Sequence, residues 1–569
     1  MATQKPASAP DLEALRDELR GSWGIEFGRV AAVACALAAG PWHSVDGLVR
    51  AHGVSHRSVS ALVRRLEPWL ERDGARVRAS GQARHAVRAA FGCGRAGARP
   101  PDGAGAAAAA EPELLAAMAA IMAGRPPPSR HLDHVSATPL TAVKRALWLT
   151  ASYHLDGAAV LCLGDHDLTA LALLLVHPEL DVTVVDVDER LLAYLARIAR
   201  ERGWSLRPVF ADLRFELPRS LAERFDLVFT DPPYTPAGVR LFLERGLASL
   251  RPGDLGRVLL CYGFGEQHPS LGFKVQSVLH ELRLVTEAVL PGFNRYQGAE
   301  AIGATSALYA CRPTRRSRPA ASGRSRTELR IYTQGRNAEE AAQAALPEAT
   351  LAAVRAALAG AGTRAPTLVG DGFEALDLPG PPVRRGLGEF LHGLYAAGSE
   401  RSASGPVAVN LHPDLGGYLV RLLLLAPTDR LLLVAAAGAV RDAGLLDPDT
   451  PVGQLVASAW RVEVVTGGLR NRGPAVLAAE RAEAPDGPVG EVLRHLVDHR
   501  AATLEGAWRE GLIAALGRRG VRVTKNQARG AIRSRAFGRW HGRSHLSELP
   551  ADALAELPAE VARTLAELG

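Results

Sequence analysis

Short apolar runs alternate with stretches of helical periodicity between residues 140 and 312. The runs AAVLCLG (158–164), DVTVVDVD (181–188) and FDLVFTDPPY (225–234) predict strands. Helices are predicted by LTALALLLVH, ERLLAYLARIARERG and GVRLFLERGLASLRPG, and a further strand by GRVLLCYG. Strands and helices that alternate at this spacing predict an α/β fold with a parallel, doubly wound sheet.

The first 91 residues carry a different, mainly helical pattern. VAAVACALAAG, VDGLVRAHG and HRSVSALVRRLEPWL predict three helices, and Ser44 and Ser55 are placed to cap the last two. The short turn AHGVS joins these two helices, and LERDGARVRAS predicts a hairpin, so we expect a winged-helix domain. Such a domain binds DNA through its last helix or serves as a docking or dimerisation module. We favour the second function because that helix (His56, Arg57, Arg64, Arg65) is not unusually basic.

Two stretches rich in Gly, Pro, Ala or Arg divide the chain. Residues 92–112 predict a linker, and residues 313–326 predict a second, basic linker. We therefore place an N-terminal helix and winged-helix domain at 1–91 and the α/β domain at 113–312. The remaining residues, 327–569, form a C-terminal domain.

The C-terminal domain gives weaker functional signals. PVAVNLHPDLGGYLVRLLLLAPTDRLLLVAAAG predicts additional α/β or α+β structure, and we interpret Asp371, Asp377, His412 and Asp414 as ordinary turn and cap residues. A basic tract at 517–545 includes Phe537 and Trp540, a combination that can bind nucleic acid but more often forms a solvated face. A regulatory domain, an assembly domain and a degenerate second catalytic-like fold all remain open.

Charge and cysteine content narrow the class of protein. The 569 residues include 67 Lys and Arg against 60 Asp and Glu, and a net charge of +7 permits nucleic-acid contact without arguing for it. Five scattered cysteines form no Cys-x-x-Cys pair, which indicates a reducing compartment and no structural zinc. The first residues lack a signal-peptide core, and charges interrupt the longest apolar run. We expect a cytoplasmic protein with no membrane partner.

Acidic residues follow several of the predicted strands, where ligands bind in open parallel sheets. Asp186 ends the second strand and is predicted to accept hydrogen bonds from a ribose diol, while Asp188 also suits a helix N-cap. Asp212 follows a third strand, where it could accept a hydrogen bond from an adenine amino group. Together these three residues predict a nucleoside site.

The turn LGDHDLTA after the first strand contains Gly164, Asp165, His166 and Asp167. Two carboxylates there would repel a pyrophosphate, which argues against dinucleotides and nucleoside triphosphates. They suit a cationic ligand instead, such as a sulfonium or an ammonium group. The simpler interpretation is that Asp167 caps the following helix.

The turn DPPY consists of Asp231, Pro232, Pro233 and Tyr234. Two prolines fix the backbone and remove two donors, so the turn forms a rigid shelf. The Asp231 carboxylate and the Tyr234 ring can then surround an amine, and the carboxylate can accept its proton. Tyr262, at the end of the next strand, is a further candidate for substrate binding.

These blocks together resemble the branched-chain polyamine synthases, the N(4)-bis(aminopropyl)spermidine synthase family. The resemblance covers about residues 27–312 and rests on the winged-helix start and, in order, RPPPSRHLDHVSATPLTAVKRAL, LCLGDHDLTALALLL, VTVVDVDERLLAYL and DLVFTDPPYTPAGVRLFLERGLASL. It implies a Rossmann-like fold related to class I methyltransferases. It also implies decarboxylated S-adenosylmethionine as donor, methylthioadenosine as by-product and spermidine as an acceptor alkylated on its central nitrogen.

The resemblance is incomplete at two places. The family's Gly-Asp-Asp-Asp block matches Gly164, Asp165 and Asp167, with His166 in place of the middle acid, and the family's Asp-Gln pair reads Asp133-His134 here. By resemblance, catalysis falls to Asp231, Asp167 and Asp165. A neutral imidazole at position 166 could still act as a base.

Two other functions compete with aminopropyl transfer. DPPY is also typical of methyltransferases that use intact S-adenosylmethionine on a base or a small amine. A DNA-binding regulator with a polyamine-sensing domain is the other alternative. We expect a polyamine as substrate and no metal, and we leave both a homodimer and a nucleic-acid partner open.

Overall fold

The computed structural model of the chain describes most of its residues in three groups of elements. The described residues are 11–93, 111–129, 132–215, 217–265, 267–297, 304–317, 331, 345–359, 365–397, 405–413, 415–466, 473–483, 485 and 487–569. Most of the two predicted linkers, and the candidate loop residue Asp414, lie outside these ranges. No helix in the described ranges is both long enough and apolar enough to span a bilayer.

The N-terminal group contains five helices and a small antiparallel sheet. The helices are α1 (Leu12–Trp23), α2 (Phe27–Ala38), α3 (Val45–His52), α4 (His56–Leu66) and α5 (Arg84–Ala90). The strands β1 (His43–Ser44), β2 (Leu70–Asp73) and β3 (Arg76–Ala79) pair in the order β1-β3-β2. The hydroxyls of Ser44 and Ser55 accept hydrogen bonds from the first turns of α3 and α4, as their sequence predicts.

Two cysteines of this group are paired. Cys35 and Cys93 form a disulfide, whereas Cys162, Cys261 and Cys311 are free and buried. The cysteine spacing had indicated a reducing compartment, so the sequence did not predict this bond. A disulfide is more typical of an oxidising environment.

The second group is built around an eight-stranded sheet. Its strands are β4 (Ser136–Ala137), β5 (Ala159–Leu163), β6 (Asp181–Asp186), β7 (Leu206–Phe210), β8 (Leu227–Thr230), β9 (Arg257–Tyr262), β10 (Leu284–Gln297) and β11 (Thr305–Pro313). They follow the order β4-β10-β11-β9-β8-β5-β6-β7. Strands β5 to β9 are parallel to one another, and the pairs β9–β11, β11–β10 and β10–β4 are antiparallel. The prediction of an α/β fold with a parallel sheet is confirmed.

Helices accompany this sheet: α6 (Pro112–Ala123), α7 (Pro139–Ser152), α8 (Thr169–Val176), α9 (Glu189–Arg202), α10 (Pro236–Ser249) and α11 (Pro269–Glu281). Two hydrophobic cores contain the central strands, with alternate residues such as Leu161 and Cys162 in different cores. Because β5 is flanked by β6 on one side and β8 on the other, the chain changes direction across the sheet at β5. Ligands of such sheets bind in the crevice at this position.

The C-terminal group contains a second, six-stranded sheet. The strands are β12 (Thr367–Val369), β13 (Val383–Arg385), β14 (Val407–Asn410), β15 (Arg430–Ala436), β16 (Trp460–Thr466) and β17 (Pro474–Arg481), in the order β13-β12-β14-β15-β17-β16. Omitting β4 and β7, the first sheet reads β6-β5-β8-β9-β11-β10, which is the same arrangement of successive strands. In both sheets the last two strands are antiparallel and the final strand is the inner one.

Ten helices lie in the described residues of this group. They are α12 (Glu348–Ala359), α13 (Leu387–Ala397), α14 (Tyr418–Leu425), α15 (Ala437–Asp442), α16 (Pro451–Ala457), α17 (Gly487–Asp498), α18 (Leu504–Gly517), α19 (Lys525–Ser534), α20 (Ala536–His541) and α21 (Ala551–Leu568). The basic tract supplies α19 and α20. Its Phe537 is buried in the core, and Arg200 lies over the ring of Trp540. Phe537 therefore packs within the protein and is not available for base stacking, whereas Trp540 is partly exposed.

Candidate active site

A cavity of about 180 Å³ opens at the carboxyl ends of β5, β6, β7 and β8. Most of the residues that the sequence singled out line it: Gly164, Asp165, His166, Asp167, Asp186, Asp212, Asp231, Pro232, Pro233 and Tyr234. Two candidates, Asp188 and Tyr262, do not line this cavity. The structure thus gathers ten predicted residues, separated by up to 70 positions in sequence, around one space.

Arg145 of α7 connects the two carboxylates that we expected to carry catalysis. Its side chain is completely buried, with Nη1 2.9 Å from Asp167 Oδ2 and Nη2 2.7 Å from Asp231 Oδ2. Nε donates to Asn294 Oδ1 at 2.8 Å, and Nη1 also donates to Thr169 Oγ1 at 3.0 Å. The guanidinium therefore fixes both carboxylates in a single plane of hydrogen bonds.

Two tyrosines complete the surroundings of Asp231. The Tyr296 hydroxyl donates to Asp231 Oδ2 at 2.7 Å, and the Tyr234 hydroxyl donates to Oδ1 at 3.1 Å. Burial raises the pKa of Asp231 to about 7, although Arg145 acts in the opposite direction. A carboxyl group with this pKa can accept a proton near neutral pH.

Asp167 differs from Asp231 in its protonation. Burial alone would raise the pKa of Asp167, but the charge of Arg145 and its hydrogen bonds lower the pKa below the ordinary value. Its other oxygen, Oδ1, accepts a hydrogen bond from Ala137 N at 2.7 Å. Asp167 thus remains a charged carboxylate beside a group that can take up a proton.

Asp165 caps a helix. Oδ1 accepts from Thr169 N at 2.8 Å and Oδ2 from Ala170 N at 3.0 Å, at the start of α8. The capping interpretation of this turn is therefore right, but it applies to Asp165, whereas we had assigned it to Asp167. With both oxygens bonded to the backbone, Asp165 suits positioning of the turn better than catalysis.

The acids after β6 and β7 have different partners. Asp186 lines the cavity and accepts from the backbone N–H groups of Asp165 (3.1 Å) and Asp188 (2.8 Å). Asp188 caps α9 and pairs with Arg190. Asp212 is almost fully buried, and both of its oxygens accept from the Arg214 guanidinium. Asp186 thus lies where a ribose ligand was predicted, whereas Asp188 caps α9.

His166 stacks on His134 with the two ring centroids 4.2 Å apart. Neither ring nitrogen of His166 has a hydrogen-bond partner in the structure, and both are buried. Burial lowers the pKa of His166 to about 3, assisted by the neighbouring His134 and Arg125. Position 166 therefore presents a neutral ring to the cavity, where the resembling family has a third acid.

We expect the His166 ring to remain neutral between pH 5 and pH 8, because its pKa lies below this range. Histidine ring nitrogen shifts followed by NMR across this range test this. An unchanged His166 signal agrees with a buried neutral ring, whereas a midpoint near pH 6.5 means that the ring is solvated.

Tyr262 lies behind the cavity. Its ring centroid is 5.3 Å from that of Tyr234, and its hydroxyl is buried without a hydrogen-bond partner in the structure. The predicted direct contact of Tyr262 with substrate is therefore not supported. Its ring packs against Tyr234, which carries the hydroxyl that reaches Asp231.

Several important residues escaped the sequence analysis. Arg145 has a detectable signal, because it lies on the same face of α7 as the fully buried Ala142, Ala146 and Leu149. A cation on an apolar helix face requires a carboxylate partner elsewhere in the fold. Tyr296 and Asn294 gave no such signal, since they reach the site from β10, far along the chain.

No cluster of three or more His, Cys, Asp or Glu residues in the described part of the chain has the arrangement of a metal site. The polar groups of the cavity are instead paired with arginine, tyrosine hydroxyls and backbone N–H groups.

Residues 113–345 match the family model of the branched-chain polyamine synthase A C-terminal domain. The predicted resemblance is confirmed over this segment. The matched segment contains every residue of the cavity, including Ile331, whose carbonyl accepts a hydrogen bond from Thr235. Sequence analysis had placed Ile331 in the C-terminal domain.

Curated relatives extend this similarity. The chain is 35% identical over 189 residues to an N(4)-bis(aminopropyl)spermidine synthase of Thermococcus kodakarensis, covering 32% of this chain and 53% of the relative. It is 30% identical over 188 residues to a synthase of the same name from Methanocaldococcus jannaschii, with the same two coverages. An uncharacterized protein of that organism is 36% identical over 182 residues, which are 32% of this chain and 46% of the relative. The chain thus spans about half the length of the curated relatives that it matches.

Solved structures give a weaker similarity. The branched-chain polyamine synthase of Thermus thermophilus, in complex with N4-aminopropylspermidine and 5′-methylthioadenosine, is 24% identical, with a TM-score of 0.33. The match covers 54% of this chain and 93% of that chain.

Proposed function

We propose that the protein transfers an aminopropyl group from decarboxylated S-adenosylmethionine to a nitrogen of a polyamine and releases methylthioadenosine. The observation that carries this proposal is the Asp167–Arg145–Asp231 cluster in the cavity of the matched segment. It places a charged carboxylate and a carboxyl with a pKa of about 7 side by side at the end of the parallel sheet. The names of the curated relatives support the same reaction.

The donor would lie against β6 and β7. Asp186, between two backbone donors, has lone pairs left for the ribose hydroxyls. Asp212 is held by Arg214, so its oxygens would be only partly available to an adenine amino group. Gly164, with φ of +67°, allows the turn after β5 to pass close to the ligand.

The acceptor would lie at Asp231 and the DPPY turn. The lone pair of a polyamine nitrogen attacks the aminopropyl carbon bonded to the sulfonium, and the electrons of the breaking C–S bond go to sulfur. Before the attack, the protonated nitrogen gives its proton to Asp231, whose pKa of about 7 suits this step for a secondary and for a tertiary amine. Asp167 would attract the remaining ammonium groups, and the shelf of Pro232 and Pro233 with Tyr234 would position the nitrogen.

The site also explains how His166 could alter acceptor choice. The buried neutral ring occupies the position at which the resembling family has an acid. The cavity therefore carries one negative charge fewer than it would with an acid at position 166. The carboxylates left to hold a polyamine acceptor would then be Asp167 and Asp231. We expect spermidine as acceptor, with weaker binding of longer and more highly charged polyamines.

We also propose that the N-terminal group is a winged-helix docking or dimerisation module. On α4, Arg65 forms an ion pair with Glu18 of α1, and His56 lies 3.6 Å from Asp46 of α3. Two of the four residues considered for DNA binding are thus already paired with acids of the same group. The catalytic domain would extend from residue 113 to about residue 345, beyond the predicted boundary at 312.

A panel of acceptors tests the proposed aminopropyl transfer. The protein is incubated with decarboxylated S-adenosylmethionine and putrescine, spermidine or spermine, and tandem mass spectrometry locates the added group. We expect spermidine to gain one or two aminopropyl groups on its central nitrogen. If no polyamine in the panel is modified, the proposed function is wrong.

A further inference from the structure

The C-terminal group packs against the wall of the cavity that is formed by β6 and β7. The hydrophobic core of the C-terminal group includes three residues of the matched segment, Leu192, Phe210 and Phe215. Phe210 is the last residue of β7 and lies two positions before Asp212. The end of this strand is therefore enclosed by side chains that lie more than 200 residues further along the chain.

Arg421 of α14 is the centre of this contact. It is only 2% exposed, and its guanidinium carbon lies 3.4 Å from the centroid of the Phe210 ring. Its Nη2 lies 2.7 Å from Glu189 Oε1, at the first residue of α9 and next to Asp188. One side chain thus contacts the end of β7, two residues before Asp212, and the start of α9, three residues after Asp186.

Backbone carbonyls of the C-terminal group fix the geometry of Arg421. Nη1 donates to Gly417 O at 2.9 Å, Nε to Ser547 O at 3.2 Å and Nη2 to Leu549 O at 2.7 Å. In the same contact, Ala551 N donates to the second carboxylate oxygen of Glu189 at 2.9 Å. Each guanidinium nitrogen has a backbone acceptor in the C-terminal group, and both Glu189 oxygens contact that group, so the C-terminal group determines the position of Glu189.

Two further contacts support this wall, and the second of them reaches the cavity lining. Tyr418, one turn before Arg421, packs edge-on against Phe210 and Phe215 with ring centroids 5.7 and 5.4 Å apart. Val187, between Asp186 and Asp188, lines the cavity and also packs against the C-terminal core. In contrast, Asp231 is held by α7, by β10 and by its own turn.

We propose that the C-terminal group positions the donor side of the active site, with Arg421 as the principal positioning residue. The proposal rests on the proposed function, because it assigns the β6–β7 wall to the adenosyl donor. Removing Arg421 frees Glu189 and the Phe210 ring, so the ends of β6 and β7 lose their common support. Donor binding then weakens, while the acceptor side keeps its own contacts.

The first test measures binding without turnover. Calorimetric titration of the full-length protein with methylthioadenosine compares the wild type with Arg421→Met and with Arg200→Ala. Arg200 lies on the same helix as Glu189 and pairs with Glu556 of the C-terminal group, but its side chain is half exposed and remote from the cavity. We expect about tenfold weaker binding for Arg421→Met and less than twofold change for Arg200→Ala.

The second test separates positioning from general damage. We expect Arg421→Met to raise the donor KM by about tenfold and to change the acceptor KM and kcat by less than twofold. Glu189→Gln, which keeps the shape of its partner, should give a smaller effect in the same direction and should not add to that of Arg421→Met. This variant tests the proposal even if Arg421→Met does not fold.

Unchanged methylthioadenosine binding in folded Arg421→Met, or equal changes in both KM values, would overturn the positioning role while leaving the proposed function intact. Wild-type protein that binds S-adenosylhomocysteine but not methylthioadenosine would instead contradict the proposed function. The positioning role of Arg421 toward this donor would then also be wrong.

Discussion

Replacing Asp231 with asparagine lowers kcat by about 10³-fold and leaves the donor KM nearly unchanged. The carboxyl is the group that we assign to the amine proton, and its pKa of about 7 fits that role near neutral pH. Asparagine has the same shape but cannot take up the proton. Initial rates at saturating donor and spermidine provide the measurement.

Asp226→Asn is the matched control for this substitution. Asp226 lies just before β8 and Asp231 just after it, but Asp226 pairs with Arg251 and accepts from Ala159 N at the opposite edge of the sheet. The control should keep its turnover. The wild-type rate should also rise with pH to a plateau above about pH 7, because Asp231 must be deprotonated. Asp231→Asn with full turnover would remove this residue from the mechanism.

Replacing Arg145 with methionine lowers the free energy of unfolding by about 3–5 kcal/mol at pH 8. The guanidinium is completely buried and pairs with both Asp167 and Asp231. Without it, two adjacent buried carboxyl groups would have no counter-charge, so one of them must be protonated or the site must open. Urea unfolding midpoints measure the loss.

The loss should depend on pH in a defined direction. In the wild type, Arg145 holds the pKa of Asp167 below its ordinary value, so the stabilisation is present above that value and is lost as pH falls. In Arg145→Met the pKa values of both acids rise, and protonation at pH 5 relieves part of the repulsion. The destabilisation is therefore expected to be larger at pH 8 than at pH 5.

Arg257→Met provides a comparison of equal burial. Arg257 is also completely buried and pairs with Glu26 and Glu287, away from the cavity. We expect it to reduce stability but to retain turnover in the folded protein, whereas Arg145→Met loses both. An Arg145→Met protein that keeps wild-type turnover would show that the cluster is only structural.

The position of the site could be predicted because it follows from strand ends. Parallel strands bring their carboxyl ends to one edge, so Asp167, Asp186 and Asp231 had to converge once the strands were located. The acidic residues of the site and the DPPY turn were equally visible in the sequence, whereas the buried cation Arg145 was not.

The roles within the site could not be predicted in the same way. Whether Asp165 or Asp167 caps α8 depends on the turn that places one carboxylate on the helix and turns the other toward Arg145. Arg145 and Asp231 are 86 positions apart, and no periodicity connects them. The contact of Arg421 with Glu189 likewise depends on how two separately patterned groups of elements pack.

The most direct test of the account supplies both donors at once. The protein is incubated with equal concentrations of S-adenosylmethionine and decarboxylated S-adenosylmethionine in the presence of spermidine, and the nucleoside products are quantified by mass spectrometry. We expect methylthioadenosine with little S-adenosylhomocysteine. The amount of methylthioadenosine should equal the number of aminopropyl groups that spermidine gains. S-adenosylhomocysteine as the main product, together with methylated amine, would contradict the account.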